Sequence, residues 1–210
     1  MVKILGIGLT LMLAVGLQAD ILYDSLTTGN SAVLPIGNGT TTGSVLYDSF
    51  STGSVAEALT GLIVGLAPVT PPADPIVATL FVDNGSTPGG SIQITGGQQI
   101  GTLDDTLVTS STTDYAINLS LNPILAANTR YWIALSGIGT VGWLRSTSSS
   151  GTGVTNELSD VGGLPVTANT STFPFQMQIQ ATAPAAPEPS SLGSLAGLVA
   201  LGLIRLRRKS

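Results

Sequence analysis
The 210-residue sequence predicts an all-β body: a single antiparallel β-sandwich, jelly-roll-like, of about eight strands. A signal-peptide helix precedes it and a short C-terminal transmembrane helix follows. Three observations point there. Apolar and polar residues alternate in several runs, which puts one face of each run in a core and the other in water. Clusters of Gly, Pro, Ser and Asn punctuate those runs, and helical periodicity is nearly absent between them. Finally, five of the seven Lys and Arg (Lys3, Arg205, Arg207, Arg208 and Lys209) lie at the two ends. The ends read as addresses, and the body is judged apart from them.

Residues 1–19 are the first element. Lys3 precedes an uncharged, largely apolar run from Ile4 to Leu17, and the small residues Gly16 and Ala19 come before the first carboxylate, Asp20. A cationic start, an apolar stretch of roughly 7–15 residues and a small residue at the cut describe a secretory signal peptide. Cleavage is expected after Ala19. Because Leu17 stands two before that cut, a cut after Gly16 is the alternative. An uncleaved anchor is disfavoured, since the 14 residues from Ile4 to Leu17 rise only about 21 Å as a helix against a hydrocarbon core of about 30 Å.

Residues 20–182 make up the extracellular domain. Glu57–Leu66 and Ile76–Asp83 are nearly continuous apolar runs, as expected of strands covered on both faces. Tyr115–Leu121, Arg130–Ser136 and Phe175–Ala181 alternate instead. In Arg130–Ser136 the inward set is Tyr131, Ile133 and Leu135, with Arg130, Trp132 and Ala134 on the other face. Breakers stand at Gly37-Asn38-Gly39, Pro68 to Pro75, Asn84 to Gly90, Gly96-Gly97 and Ser146 to Gly153. One echo is visible: Ile21–Gly29 matches Val45–Gly53 at an offset of 24 residues, each copy containing Leu-Tyr-Asp-Ser. It does not recur, so a solenoid is disfavoured and two equivalent strand-turn units are expected.

The composition removes several function classes. The chain has no Cys and no His, hence no disulfide framework, thiolate zinc site, imidazole base or Ser-His-Asp triad. Residues 20–186 carry two Arg and no Lys against eleven carboxylates. Nucleic-acid binding therefore lacks its electrostatic basis. No cofactor and no metal are expected.

The C-terminal end has three parts. Residues 183–189 are an Ala/Pro linker, extended and semi-rigid, closing on Pro187-Glu188-Pro189. Residues 190–204 form the short transmembrane helix, and 205–210 the basic cytoplasmic tail with Arg205, Arg207, Arg208 and Lys209. The uncharged stretch from Pro189 to Ile204 has 16 residues, about 24 Å as a helix, workable with snorkelling arginines or local thinning. This order closely resembles the PEP-CTERM sorting signal of exported bacterial proteins, over about the last two dozen residues. The resemblance implies recognition by an exosortase, a membrane-embedded processing enzyme, and removal of the tail near Pro187-Glu188-Pro189. A plain C-terminal transmembrane helix is the alternative on composition alone.

Within the body, Asp48-Ser49-Phe50-Ser51-Thr52-Gly53, Ala127–Gly137 and Pro174-Phe175-Gln176-Met177-Gln178 are similar to the choice-of-anchor R domain. That family comprises exported bacterial domains found with alternative C-terminal anchors. The similarity spans most of residues 21–182 and implies an extracellular β domain, without specifying a reaction.

Candidate chemistry is sparse. Asp104-Asp105 is the only adjacent acid pair; neighbours on a strand face opposite ways, so they are expected to be solvated turn acids. Glu157 and Asp160 fall in an expected loop without a partner. Asp83-Asn84-Gly85-Ser86 offers oxygen ligands on a turn but lacks the spacing of a calcium loop. Trp132, Trp143 and Tyr131 could stack on sugar rings if exposed, although a Trp in an apolar strand is more often core. Arg130 and Arg145 are expected to pair with the surplus carboxylates.

The expected function is non-enzymatic: an exported surface or exopolysaccharide-associated structural protein. The secretion machinery would deliver it, the C-terminal helix would hold it transiently in the inner membrane, and an exosortase would release it to the cell surface or matrix. One alternative is a carbohydrate-binding module using Trp132 or Trp143. The other is a carboxylate hydrolase, which needs two acids about 5–9.5 Å apart in a cleft.

Overall fold
The structure, a computed structural model, describes residues 19–26, 29–37, 45–68, 75–85, 94–109, 112–137, 141–147, 150–151, 158–161, 169–170 and 174–183. The signal segment ahead of Ala19, Glu157, the Pro187-Glu188-Pro189 motif, the apolar segment 190–204 and the basic tail lie outside the described residues.

Strand β1 covers Asp20–Asp24, β2 Asn30–Ile36, β3 Leu46–Ser51, β4 Glu57–Pro68 and β5 Ile76–Asp83. Then come β6 (Ile94–Leu103), a 3-10 turn (Asp105–Leu107), β7 (Thr113–Ala116), β8 (Asn118–Leu119) and β9 (Ile124–Leu125). The last are β10 (Arg130–Ser136), β11 (Val141–Ser146), β12 (Ser150–Gly151), β13 (Leu158–Val161), β14 (Asn169–Thr170) and β15 (Met177–Thr182). Nine of these strands have five residues or more. The other six have four residues or fewer, and β7 and β8 read in the sequence as one alternating run, which is why the sequence suggests fewer strands.

The strands form two antiparallel sheets. One runs β12-β1-β15-β4-β11-β2, with β7 and β9 also on β4; the other runs β14-β13-β3-β10-β5-β6-β8. Inward residues of both sheets, among them Leu62, Val64 and Ile179 from the first and Phe50, Ile133 and Leu135 from the second, share one buried cluster. Each such side chain contributes about 1.5–3 kcal/mol by leaving water. Tyr131, Ile133 and Leu135 face this core as their alternation predicts, while Trp132 and Ala134 lie in a second cluster with Tyr47.

Three expectations change. Tyr115–Leu121 is not one strand: β7 joins β4 and β8 joins β6, so the chain crosses between sheets at Ile117. Ile117 is itself buried, and its N–H donates to the Leu62 carbonyl at 2.9 Å. An alternating sequence cannot reveal such a crossing, because the inward residue faces the same core from either sheet. Gly96-Gly97 does not end a strand. It lies inside β6, with Gly96 at φ +68° and the β5–β6 register shifting between Leu80 and Val82. The two echo copies are not equivalent units either. β1 belongs to the first sheet and β3 to the second, and the copies face opposite ways: Tyr23 packs in the main core, Tyr47 in the second cluster.

Gly101 shows how closely β6 and β8 approach. A Cβ there would stand 2.5 Å from the Asn118 carbonyl oxygen and 2.8 Å from Ile117 Cγ2. Since β8 is also fastened by Ser120 N–H donating to the Ile100 carbonyl at 2.8 Å, the backbone has little room to give. Gly101→Ala is expected to cost about 2 kcal/mol, read as a lowered urea midpoint. An unchanged midpoint would contradict the close approach.

Candidate functional site
Two strands that are distant in sequence wall a surface cleft. Asp20, Ile21 and Leu22 of β1, Gly53, Ser54 and Val55 of the β3–β4 connection, and Glu57 at the start of β4 enclose about 340 Å³. Thr52 holds the connection in place. Its hydroxyl donates to the Ala126 carbonyl at 2.7 Å and accepts the Thr129 N–H at 2.9 Å, while the Asn128 N–H donates to the Gly53 carbonyl at 2.8 Å. Asn128 takes φ +50° to turn the chain there, a conformation Asn tolerates better than most residues. The Tyr131 hydroxyl ties the same turn down by accepting the Ala126 N–H at 2.7 Å.

Glu57 is the unusual wall. Alternation along β4 puts it on the face of Leu59, and it is only 8% exposed. Burial pushes its carboxyl above the ordinary value of 4.5, and the negative charge of Asp20 pushes it further the same way. A carboxyl raised on folding favours the protonated native state. Its contribution is therefore fully present below pH 4.5 and is lost as pH rises through the folded value. Among the described residues Asp20 and Glu57 are the only charged ones lining the cleft, and both are acids; Ile21 and Val55 are 53% and 56% exposed beside them. Chemically, the arrangement suits a compact cationic group: two carboxylates to neutralise, with apolar walls around them. No sequence signal marks this pair. Asp20 and Glu57 are 37 positions apart and meet only through the order of β1, β15 and β4.

A second constellation lies inside the sandwich. Asp48, on the core-facing side of β3, is 0% exposed. It accepts the Phe175 N–H at 2.8 Å and the Ser49 N–H at 3.1 Å. Arg145 sits over the Phe175 ring at 5.2 Å, and Trp143 stacks on that ring at 4.6 Å with 17° between planes. Burial pushes the Arg145 guanidinium down from its usual value, and the Asp48 charge works against that shift. Ser25 completes the grip: its hydroxyl donates to the Phe175 carbonyl at 2.9 Å and accepts the Met177 N–H at 3.0 Å. Both copies of the Tyr-Asp-Ser echo thus clamp the same closing segment, Phe175 to Gln178, Asp24 doing so by accepting from Gln178 Nε2 at 3.0 Å.

The remaining sequence-selected residues fall as follows. Trp132 and Trp143 are both 0% exposed, so neither indole offers a face to a sugar ring in this fold. Asp83 accepts the Gly85 N–H at 2.8 Å and approaches Arg130 at 3.5 Å. Both contacts draw on the carboxylate that a cation would need. Among the described residues no group of three or more acidic side chains gathers into a metal-binding arrangement. Asp104 is exposed and caps the 3-10 turn, accepting from Thr106 N–H at 3.0 Å and Thr106 Oγ1 at 2.7 Å; these bonds hold its carboxyl below the ordinary value. Asp105 is not the solvated acid expected, for the turn curls it inward to 2% exposure. Asp160 lies in β13 rather than a loop. No helix among the described residues is long and apolar enough to cross a membrane. Neither a family model nor a curated protein matches the chain.

The segments around Asp48–Gly53, Arg130–Ile133 and Phe175 form one interlocked unit. Residues 48–51 pair with 130–133 through β3 and β10, Thr52 pins the turn that follows, and Phe175 is held by Asp48.

Proposed function
We propose that the chain is an exported bacterial surface or exopolysaccharide-associated structural protein, carried out by its N-terminal signal and processed through its PEP-CTERM-like tail by an exosortase. In this reading the body is a passive jelly-roll module of the choice-of-anchor R type, and the C-terminal helix holds it in the membrane only until release.

One geometric observation supports the reading most. The first and last strands, β1 and β15, lie side by side with Asp20 opposite Ala181. Both terminal addresses therefore leave the body at one end. A domain with two membrane-directed extensions at the same end can hang from a single bilayer while its N-terminal and C-terminal handles are cut in turn. The pairing of first with last strand, together with a chain that repeatedly changes sheets, is also the connectivity expected of a jelly roll.

Epitopes placed ahead of Pro187 and after Lys209 test the claim in cells with an active exosortase. The surface fraction is expected to keep the first epitope and lose the second. Persistence of both in the mature protein defeats the processing claim, and recovery of the full-length chain in the cytosol defeats export.

A further inference from the structure
We propose that cutting after Ala19 creates a partner for Glu57: the new α-ammonium of Asp20 docks against that carboxylate in the cleft and fastens β1 to the start of β4. The inference rests on the export reading, and it adds a structural use for the cut itself.

Glu57 is the residue whose carboxylate lacks a partner among those described. As a whole residue it is only 8% exposed, the part that reaches the surface lines the cleft, and no described residue gives its carboxylate a hydrogen bond. The only other charged lining residue among those described, Asp20, repels it. A partly desolvated carboxylate beside a second acid is stabilised by a cation, and the body has almost none to give. Residues 20–186 contain no Lys. Of its two arginines, Arg130 approaches Asp83 and Arg145 covers Phe175.

The uncut chain puts a neutral peptide nitrogen at Asp20. Cleavage after Ala19 turns that nitrogen into a primary ammonium on a residue that lines the cleft, one positive charge beside the two carboxylates of Asp20 and Glu57. The hydrolysis consumes one water: the Ala19–Asp20 amide breaks, Ala19 keeps a carboxylate, and Asp20 keeps the protonated amine. A cut after Gly16 would put the charge three residues upstream, at Leu17, beyond the end of β1.

The ammonium offers a clean readout. Lys209 is the only Lys left after cleavage, so the α-amine of the exported protein can be followed by NMR after reductive ¹³C-methylation. Its pKa is expected roughly one unit above the usual ~7.7–8.0, returning to the usual range in Glu57→Gln. A raised amine pKa stabilises the fold fully below the unfolded value, and that contribution is lost as pH rises through the folded one. Acetylating the wild-type α-amine should accordingly lower the melting temperature at pH 7 and leave it unchanged at pH 10, a control that does not need the variant to fold. An α-amine with an ordinary pKa, one indifferent to Glu57→Gln, or a mature N-terminus at Leu17 each overturns the inference. The last result would leave export intact, whereas cytosolic retention would remove the export reading itself.

Discussion

Trp143→Ala is expected to destabilise the domain by about 4 kcal/mol. Trp143 has no exposed surface, stacks on Phe175 at 4.6 Å, and donates its Nε1–H to the Gln176 carbonyl at 2.9 Å. Its strand pairs with β2 on one side and β4 on the other. Truncation therefore opens a void in a strand that is itself held by ladders on both sides, which limits how far the surroundings can collapse into it. It also removes one of two donors to the Gln176 carbonyl, which keeps the Gly65 N–H at 2.9 Å, and leaves one face of the Phe175 ring uncovered. Urea unfolding followed by far-ultraviolet circular dichroism reads the effect; Trp132, the other of two tryptophans, gives an independent fluorescence signal. Trp143→Phe keeps much of the volume and should lose about half as much. A loss below about 1 kcal/mol for the alanine variant would show that this stack does not close the core.

Asp48→Ala is expected to cost about 3–5 kcal/mol. The carboxylate is fully buried, and two backbone N–H groups depend on it, Phe175 at 2.8 Å and Ser49 at 3.1 Å. Removing it takes this acceptor from both donors and deprives Arg145 of the negative charge that offsets its burial. Asp48→Asn keeps an acceptor oxygen and nearly the same shape, so it should cost about 1–3 kcal/mol, chiefly through the lost charge. The ordering of the two variants is the informative result. Equal losses would mean that volume, rather than charge and hydrogen bonding, is what Asp48 provides.

Much of the fold was readable from the chain because burial follows alternation. Arg130–Ser136 and Ile76–Asp83 occupy the strands expected of them, and Tyr131, Ile133 and Leu135 face the core. What escaped depends on pairing between distant strands. Ile117 carries the chain from one sheet to the other without breaking the alternation. The Gly96 bulge looks like an ordinary turn in the sequence. Asp48 reads as a polar strand residue and proves to be an interior clamp, a role set by its contact with Phe175, 127 positions away. The Asp20–Glu57 cleft was illegible for the same reason, and Asp105 for another: one turn of 3-10 helix rotates it away from the extended geometry that its neighbours suggest.

The place of β15 has a mechanical consequence. Its six residues lie between β1 and β4, paired along both edges. Backbone hydrogen bonds in antiparallel strands run perpendicular to the chain, so a pull on whatever hangs from Thr182 meets the bonds on both flanks at once, in shear, instead of peeling them apart one by one. A tether attached there would hold against drag longer than one attached to an edge strand such as β2.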